Sequence, residues 1–385
     1  MISVMPSASP APLPEAPPLL IAAFSGRALA GAARASGYVP LVADFFGDAD
    51  MRAMAGKSVQ MKGDFATGFQ LAELLAGLQA LAAGQNIAGL VCGSGFEDRP
   101  GILAELARHW PLLGCSAGAV ELVKHPLRLA KLCAAAGVAH PETRLAPPED
   151  AAGWLRKQAG GSGGGHVLPA TDREGGYGIY FQRQIPGTPV SLLALASGGG
   201  ARVLGSSSQW ADPAAGQPFR YGGAVRPALV AAETLGAMAC AVHRLVEGAG
   251  EGFAGLASFD FLIGGGTFTL LEVNPRPGAT LDVFNHPDLM QAHIAACKGL
   301  LPAAPLAFRG AIAAAILYCD RSISAFPQMI WPDWTKDHPN PSSHLQSGAP
   351  VCTIVAAAAE PHAARRLLDE RISLIRRLLA ENQQA

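Results

Sequence analysis

The chain lacks the patterns that would tie it to a disulfide framework, to nucleic acid or to a membrane. Its seven cysteines (Cys92, Cys115, Cys133, Cys240, Cys297, Cys319 and Cys352) are odd in number and show no Cys-x-x-Cys spacing. That argues against a paired scaffold and for reduced thiols. Long basic runs are missing, and 29 basic against 30 acidic residues leave a formal net charge of -1, which argues against nucleic acid as the main partner. No stretch reaches the roughly 18 apolar residues that a membrane span requires. The Pro-rich start, MISVMPSASPAPLPEAPP, has neither the basic n-region nor the apolar h-region of a signal peptide. Residues 1–17 therefore read as a mobile tail, and a cytoplasmic location is expected. Charged residues are scarce, 15% against 50% hydrophobic, the balance of a globular chain and not of a disordered one. With 385 residues, such a chain divides its core among two to four domains.

What is present has the rhythm of an α/β protein. Apolar runs over 19–24 and 39–44 flank Ser25-Gly26-Arg27 and an Ala-rich amphipathic segment reaching Gly37. This predicts strand, loop, helix, strand, the opening of a parallel unit. A helix near 69–83, a buried strand over 87–92 running into GSGFED (93–98), and a helix over 100–109 extend it, so 18–118 reads as a small doubly wound domain. Beyond it the pattern becomes antiparallel. A helix over 126–136 precedes strands near 180–185, 190–196, 203–209 and 257–263, with a helix over about 228–247 and a strong turn at Pro186-Gly187-Thr188-Pro189. Residues 301–385 carry two strands, 311–318 and 351–356, and a closing helix over 360–380. The expected divisions are 119–185, 186–300 and 301–385.

The most informative segment is LLEVNPRPGAT (270–280), read together with Asp260 in SFDFLI. Gly264-Gly265-Gly266-Thr267 between them reads as a hairpin turn. A loop of 265–267 sets Asp260 directly opposite Glu272, and Asn274 shares Glu272's face because strand side chains alternate. Three oxygen ligands on one patch suit Mg²⁺, a hard cation that keeps waters and phosphate oxygens as its other ligands. Two acids among Phe259, Phe261, Leu271 and Val273 would be costly without a cation. Pro275 and Pro277 stiffen the exit of the strand and aim Arg276. A guanidinium there suits a transferring phosphoryl group or an acyl phosphate; its plainer role would be to neutralise Asp282.

Asp260, Glu272, Asn274 and Arg276, in FDFLI and LLEVNPRPG, closely resemble the double-strand metal motif of the ATP-grasp superfamily, and the resemblance covers about residues 20–355. In detail it is similar to the carboxylate–amine ligase branch tied to one-carbon cofactor synthesis, and resembles the tyramine–glutamate ligases of methanofuran and methylofuran formation. SGRALAGAARASGYVPLVADFFGDAD, GSGFEDRP and SGAPVCTIVA have counterparts in that branch. The resemblance implies an α/β and α+β chain: an ATP-grasp fold with an N-terminal doubly wound (pre-ATP-grasp) domain and a small C-terminal lobe. It implies ATP and Mg²⁺ as cofactors, with Mn²⁺ as a substitute. Lys124, in LVKHPLRLAKL, and Lys157, in WLRK, match the family's phosphate-binding lysines, with Lys131 as the fallback for the first. The glycine-rich GGSGGGH (160–166), with Gly163 and Gly164, resembles the loop that folds over the phosphates. YFQRQIPGTPVS (180–191) resembles the hinge strand that binds adenine and ribose, through Gln182, Gln184 and the backbone from Arg183 to Ile185. Three positions depart from the family pattern. Arg183 stands where an acid is usual, Lys157 lies in an unusual WLRKQ context, and Ser258 replaces an Arg found in some amide ligases.

A carboxylate is a poor electrophile, and phosphorylation by ATP would give an acyl phosphate that an amine displaces to leave an amide. The expected partners are a small-molecule carboxylate and an amine, with no nucleic acid and no membrane; a homo-oligomer is an open expectation. Ser25, Arg27, Ser94, Glu97, Asp282 and His286 are the candidate substrate-binding residues. GSGFED follows a strand as a dinucleotide fingerprint would, but Asp98 stands where the third glycine is needed. A biotin-carboxylase-like enzyme and a non-catalytic ATP-binding sensor remain as alternatives.

Overall fold

A computed structural model describes residues 16–63, 67–170, 175–304 and 306–382. The expectation of a tail over 1–17 falls almost entirely outside the described residues. The first described strand, Pro18–Ala22, is buried along nearly its whole length. It lies at the centre of a four-stranded parallel sheet in the order Lys57–Gln60, Val39–Asp44, Pro18–Ala22, Leu90–Cys92. Strands covered on both faces read as continuous apolar runs, and 19–22 and 41–43 do so. The edge strand Lys57–Gln60, KSVQ, is mostly exposed, so it carries no apolar run and was not expected from the sequence.

Four phenylalanines stack beneath this sheet: Phe24 on Phe45 at 5.1 Å, Phe45 on Phe69 at 4.6 Å and Phe69 on Phe96 at 5.1 Å between ring centroids. Phe96 belongs to GSGFED. Its burial in this cluster fixes the turn after Leu90–Cys92 and leaves Glu97 facing the rest of the molecule.

Ser116 caps the helix Ala117–Lys124 by accepting a hydrogen bond from Ala119 N at 3.2 Å. Pro126 then opens a second helix, Pro126–Ala135. A residue before proline avoids helical geometry, so the chain breaks at His125 and Lys124 stands in the last turn of its helix. A small antiparallel sheet follows, in the order Thr143–Arg144, Ile179–Arg183, Trp154–Gln158, Leu168–Pro169.

The largest sheet has eight antiparallel strands. Its order is Thr267–Asn274, Gly255–Gly264, Thr188–Ser197, Gly200–Ala211, Tyr221–Arg226, Ala311–Tyr318, Pro350–Ala358, Thr335–Lys336. The strands of 301–385 are thus continuous with it through Tyr221–Arg226, a strand whose sequence, YGGAVR, hides behind two glycines. The helix Ala232–Ala249 packs on the sheet, as does Leu289–Cys297, and Pro361–Asn382 covers its C-terminal strands. His293, fully buried, links this sheet to the N-terminal domain. Its Nδ1 accepts from Leu256 N at 2.8 Å while its Nε2 lies 3.1 Å from Leu113 O.

Phe69→Ala should lower stability by about 3–5 kcal/mol, read as a drop in the denaturation midpoint. Tyr177→Ala, at a fully exposed ring, should stay within about 0.5 kcal/mol of the parent.

Candidate active site

The hairpin formed by Gly255–Gly264 and Thr267–Asn274 reaches the expected pairing by a different route. Its turn has two residues, not three: Gly264 pairs with Thr267 across Gly265 and Gly266, both at positive φ. A two-residue turn alone would set Asp260 opposite Leu271. A bulge between Asp260 and Phe261 absorbs one residue, so that Phe261 faces Leu270 and Asp260 faces Glu272. The bulge also shifts the alternation. Leu270 and Val273 enter the core, while Glu272 and Asn274 turn together into a cleft.

Asn274 donates from Nδ2 to Asp260 Oδ2 at 2.9 Å, and Gln209 reaches Asp260 Oδ1 at 3.5 Å. Lys124, 8% exposed, donates to Glu272 and, at 2.9 Å, to Asn274 Oδ1. Burial and then the charge of Glu272 push the Asp260 carboxyl up to about 6. Burial alone would raise Glu272 as well, but the Lys124 ammonium outweighs it and holds that carboxyl below its usual range. Among the described residues no cluster of three or more His, Cys, Asp or Glu forms a metal site. The patch is two carboxylates and an amide, an all-oxygen set whose mutual repulsion a hard divalent cation would relieve.

Lys157 also faces this cleft. It is buried and donates to Gln182 Oε1 at 2.6 Å. Burial pushes its ammonium below the usual range, with Lys124 adding to the effect and Glu272 and Asp260 opposing it. His166, Tyr180, Gly160 and Gly161 close the same narrow cleft. The glycine loop is folded down. Gly163 O accepts from Tyr221 N at 2.9 Å, and a Cβ on Gly164 would meet Phe219 O at 1.9 Å. Lys131 is exposed on its helix, away from this cleft.

The hinge strand differs from expectation. Gln182 points into the cleft, but Arg183 alternates outward, stacks over Trp154 at 4.9 Å and donates to Ala152 O at 2.9 Å. The backbone N–H groups of Arg183 and Gln184 are committed to Glu142 O and Gly153 O at 2.8 and 2.9 Å. Those two donors are therefore not available to an adenine, and Arg183 has a packing role. Gln184 is exposed and Ile185 half-buried, and neither lines the cleft.

Arg276 pairs with Glu97 and not with Asp282. The other oxygen of Glu97 accepts from Gly95 N at 2.8 Å and Phe96 N at 3.0 Å. Burial would raise this carboxyl, but Arg276, then Lys124, and those donors bring it down to about 2. Arg27 and Asp282, both expected to touch substrate, bind each other through two contacts of 2.6 Å and both line the larger cavity. The same guanidinium also holds Asp337 at 2.8 and 2.9 Å. Asp337 lies 310 positions from Arg27, and no local motif announced it. Ser25 and Ser94 line the cavity beside this triad. His286 does not join them; its Nδ1 accepts from Asp288 N at 3.2 Å in the turn before Leu289–Cys297.

Glu97 lies below its unfolded value of 4.5. The stability it contributes is therefore complete above that pH and lost as pH falls toward 2, on the order of 3 kcal/mol in all. Denaturation of the parent and Glu97→Gln should show a gap at pH 7 that narrows by pH 3. A gap independent of pH would contradict the pairing.

Residues 126–280 match the family model of the ATP-grasp domain. No curated protein sequence matches the chain. Among solved structures, the chain is similar to a Campylobacter jejuni biotin carboxylase in complex with β-γ-ATP (TM-score 0.69, 14% identity, 90% of this chain and 88% of that one). It is also similar to the biotin carboxylase domain of the Hydrogenobacter thermophilus 2-oxoglutarate carboxylase, solved with MgADP, ADP and bicarbonate (TM-score 0.70, 13% identity, 90% and 87%). It covers only 36% of Rhizobium etli pyruvate carboxylase, at TM-score 0.69 and 14% identity over 93% of this chain. The chain therefore has the ATP-grasp fold, with the family-model match falling on residues 126–280.

Proposed function

We propose that the chain is an ATP-dependent carboxylate–amine ligase that forms an amide through an acyl phosphate. The observation that carries this reading is the buried meeting of two lysines with two carboxylates: Lys124 on Glu272 and Asn274, Lys157 beside them, and Asp260 across the hairpin. Such a cleft is suited to a polyanion accompanied by a divalent cation. Asp260, Glu272 and Asn274 would hold Mg²⁺, which when bound supplies charge neutralisation for phosphoryl transfer. Lys124 and Lys157 would hold phosphate oxygens, and Lys157, whose burial favours its neutral form, gains most from an anion. Arg276, oriented by Glu97, would face the charge that develops on the acyl group. The loop 160–166 would keep water out. By the family resemblance, the substrate pair is glutamate with tyramine or a related amine, in methylofuran-type one-carbon cofactor synthesis.

The likeness in fold to biotin carboxylases favours a second reading, in which bicarbonate is the carboxyl source and biotin the acceptor. An ATP-binding sensor would bind nucleotide without turnover.

The test is to supply ATP, Mg²⁺, glutamate and a panel of amines including tyramine, following ADP release and the product mass. ADP release should require both acid and amine, and Asp260→Ala and Glu272→Ala should each reduce it by at least about 100-fold with circular dichroism unchanged. Full activity in both variants would remove the metal assignment. ADP release that depends on bicarbonate and biotin would favour the carboxylase, and tight ATP binding with no product would favour the sensor.

A further inference from the structure

Beside the nucleotide cleft lies a much larger cavity of about 850 Å³, within the size range of small-molecule sites. It opens between the N-terminal domain, the segment that follows Arg276, and the chain from Asp337 to Thr353. Three acids line it, Asp48, Asp282 and Asp337, and two more, Asp44 and Asp50, lie near Asp48; all but one of the five are satisfied. Asp44 accepts from Gly26 N and Gly47 N, each at 3.0 Å. Asp50 accepts from Asp337 N and His338 N at 3.0 and 2.9 Å. Asp282 and Asp337 share Arg27.

Asp48 is the exception. It lines the cavity and is 6% exposed, yet among the described residues its carboxyl has no hydrogen bond or ion pair. The nearby Arg52 does not supply one, because it is taken up by Gly47 O at 2.7 Å and Gln60 Oε1 at 2.9 Å. The Asp48 carboxyl opens onto the cavity with no protein donor engaged, so a cationic group entering there would find an uncommitted acceptor. Leu29, Phe45, Ile316 and Val351 give the same cavity apolar lining.

Resting on the amide-ligase reading, we propose that this cavity is the amine subsite, with Asp48 receiving the ammonium of a small primary amine whose apolar body lies against Leu29, Phe45, Ile316 and Val351. The charges around Asp48 fit this role. Burial, then Asp337, Asp44 and Asp50, push its carboxyl up to about 9, with Arg27 opposing. The acid is therefore neutral near pH 7 until an ammonium arrives, and pairing with one releases a proton to solvent. The Arg27 bridge to Asp282 and Asp337 makes the cavity wall continuous with the segment that leads out of the metal strand.

Calorimetry on the full chain with tyramine, and with 4-ethylphenol as its neutral des-amino analogue, tests the assignment. Tyramine should bind the parent with proton release, read from buffers of different ionisation enthalpy. Asp48→Asn should weaken tyramine at least tenfold while leaving 4-ethylphenol and MgATP affinities unchanged. Ile316→Trp fills the cavity from the sheet side and should weaken both organic ligands, which keeps the test intact even if Asp48→Asn fails to fold. Tyramine binding that is absent in the parent, or unaffected by Asp48→Asn and Ile316→Trp, overturns the proposal. The two readings fail separately. Amide formation with an amine KM indifferent to Asp48→Asn leaves the ligase standing and removes the subsite. Asp48-dependent amine binding with no acid- and amine-dependent ADP release does the reverse.

Discussion

The ammonium of Lys124, set between Glu272 and Asn274, is the contact on which the cleft depends. Two carboxylates face each other across a hairpin whose neighbouring side chains are apolar, and their charge has to be met from inside the protein. Lys124 meets it from the last turn of a helix that ends because proline follows two residues later. The helix break, the capped start at Ser116 and the placement of the hairpin at the sheet edge thus serve one electrostatic requirement. Lys157 and Gln182 complete a polar layer walled by the glycine loop.

A second chain of contacts ties this layer to the N-terminal domain. Phe96 is anchored among stacked rings, and the adjacent Glu97 is held by two backbone donors and by Arg276. Arg276 takes its direction from the prolines on either side and from an acid more than 170 positions earlier. Lys124 also lowers the Glu97 carboxyl, so the two ion pairs belong to one field and not to separate sites.

The parts of this arrangement that were legible in the sequence are those encoded locally. Apolar runs marked three of the four parallel strands, glycines marked the hairpin, and acids with an Asn at strand spacing marked the oxygen patch. Lys124 and Lys157 were recognised by their positions in a family pattern; Lys124 lines the cleft, and Lys157 is hydrogen-bonded to Gln182, which lines it. The backbone from Arg183 was expected to meet a nucleotide, but the Arg183 and Gln184 N–H groups are committed to Glu142 O and Gly153 O, partners that the strand pattern does not show. The partners of Arg27 and Arg276 were not legible, because Asp337 and Glu97 reach them only through the tertiary fold. Asp48 gave no signal at all. Nothing in FFGDAD separates an acid that finds donors from one that does not; only the packed structure makes that distinction. Tyr221–Arg226, rich in glycine, shows the same limit for strands, since its membership in the sheet is set by its neighbours on either side.

The hairpin carries a last consequence. Its short turn and its bulge are two shifts of phase that cancel, and either one without the other would lose the pairing of Asp260 with Glu272. Side-chain facing in a strand is a matter of parity, not of degree. A hairpin that kept the short turn and lost the bulge would not hold its ligands more loosely; it would exchange Glu272 for a leucine. The site is therefore tolerant of drift in its surroundings and intolerant of any change in count, which makes length between Asp260 and Glu272 as much a part of its chemistry as the acids themselves.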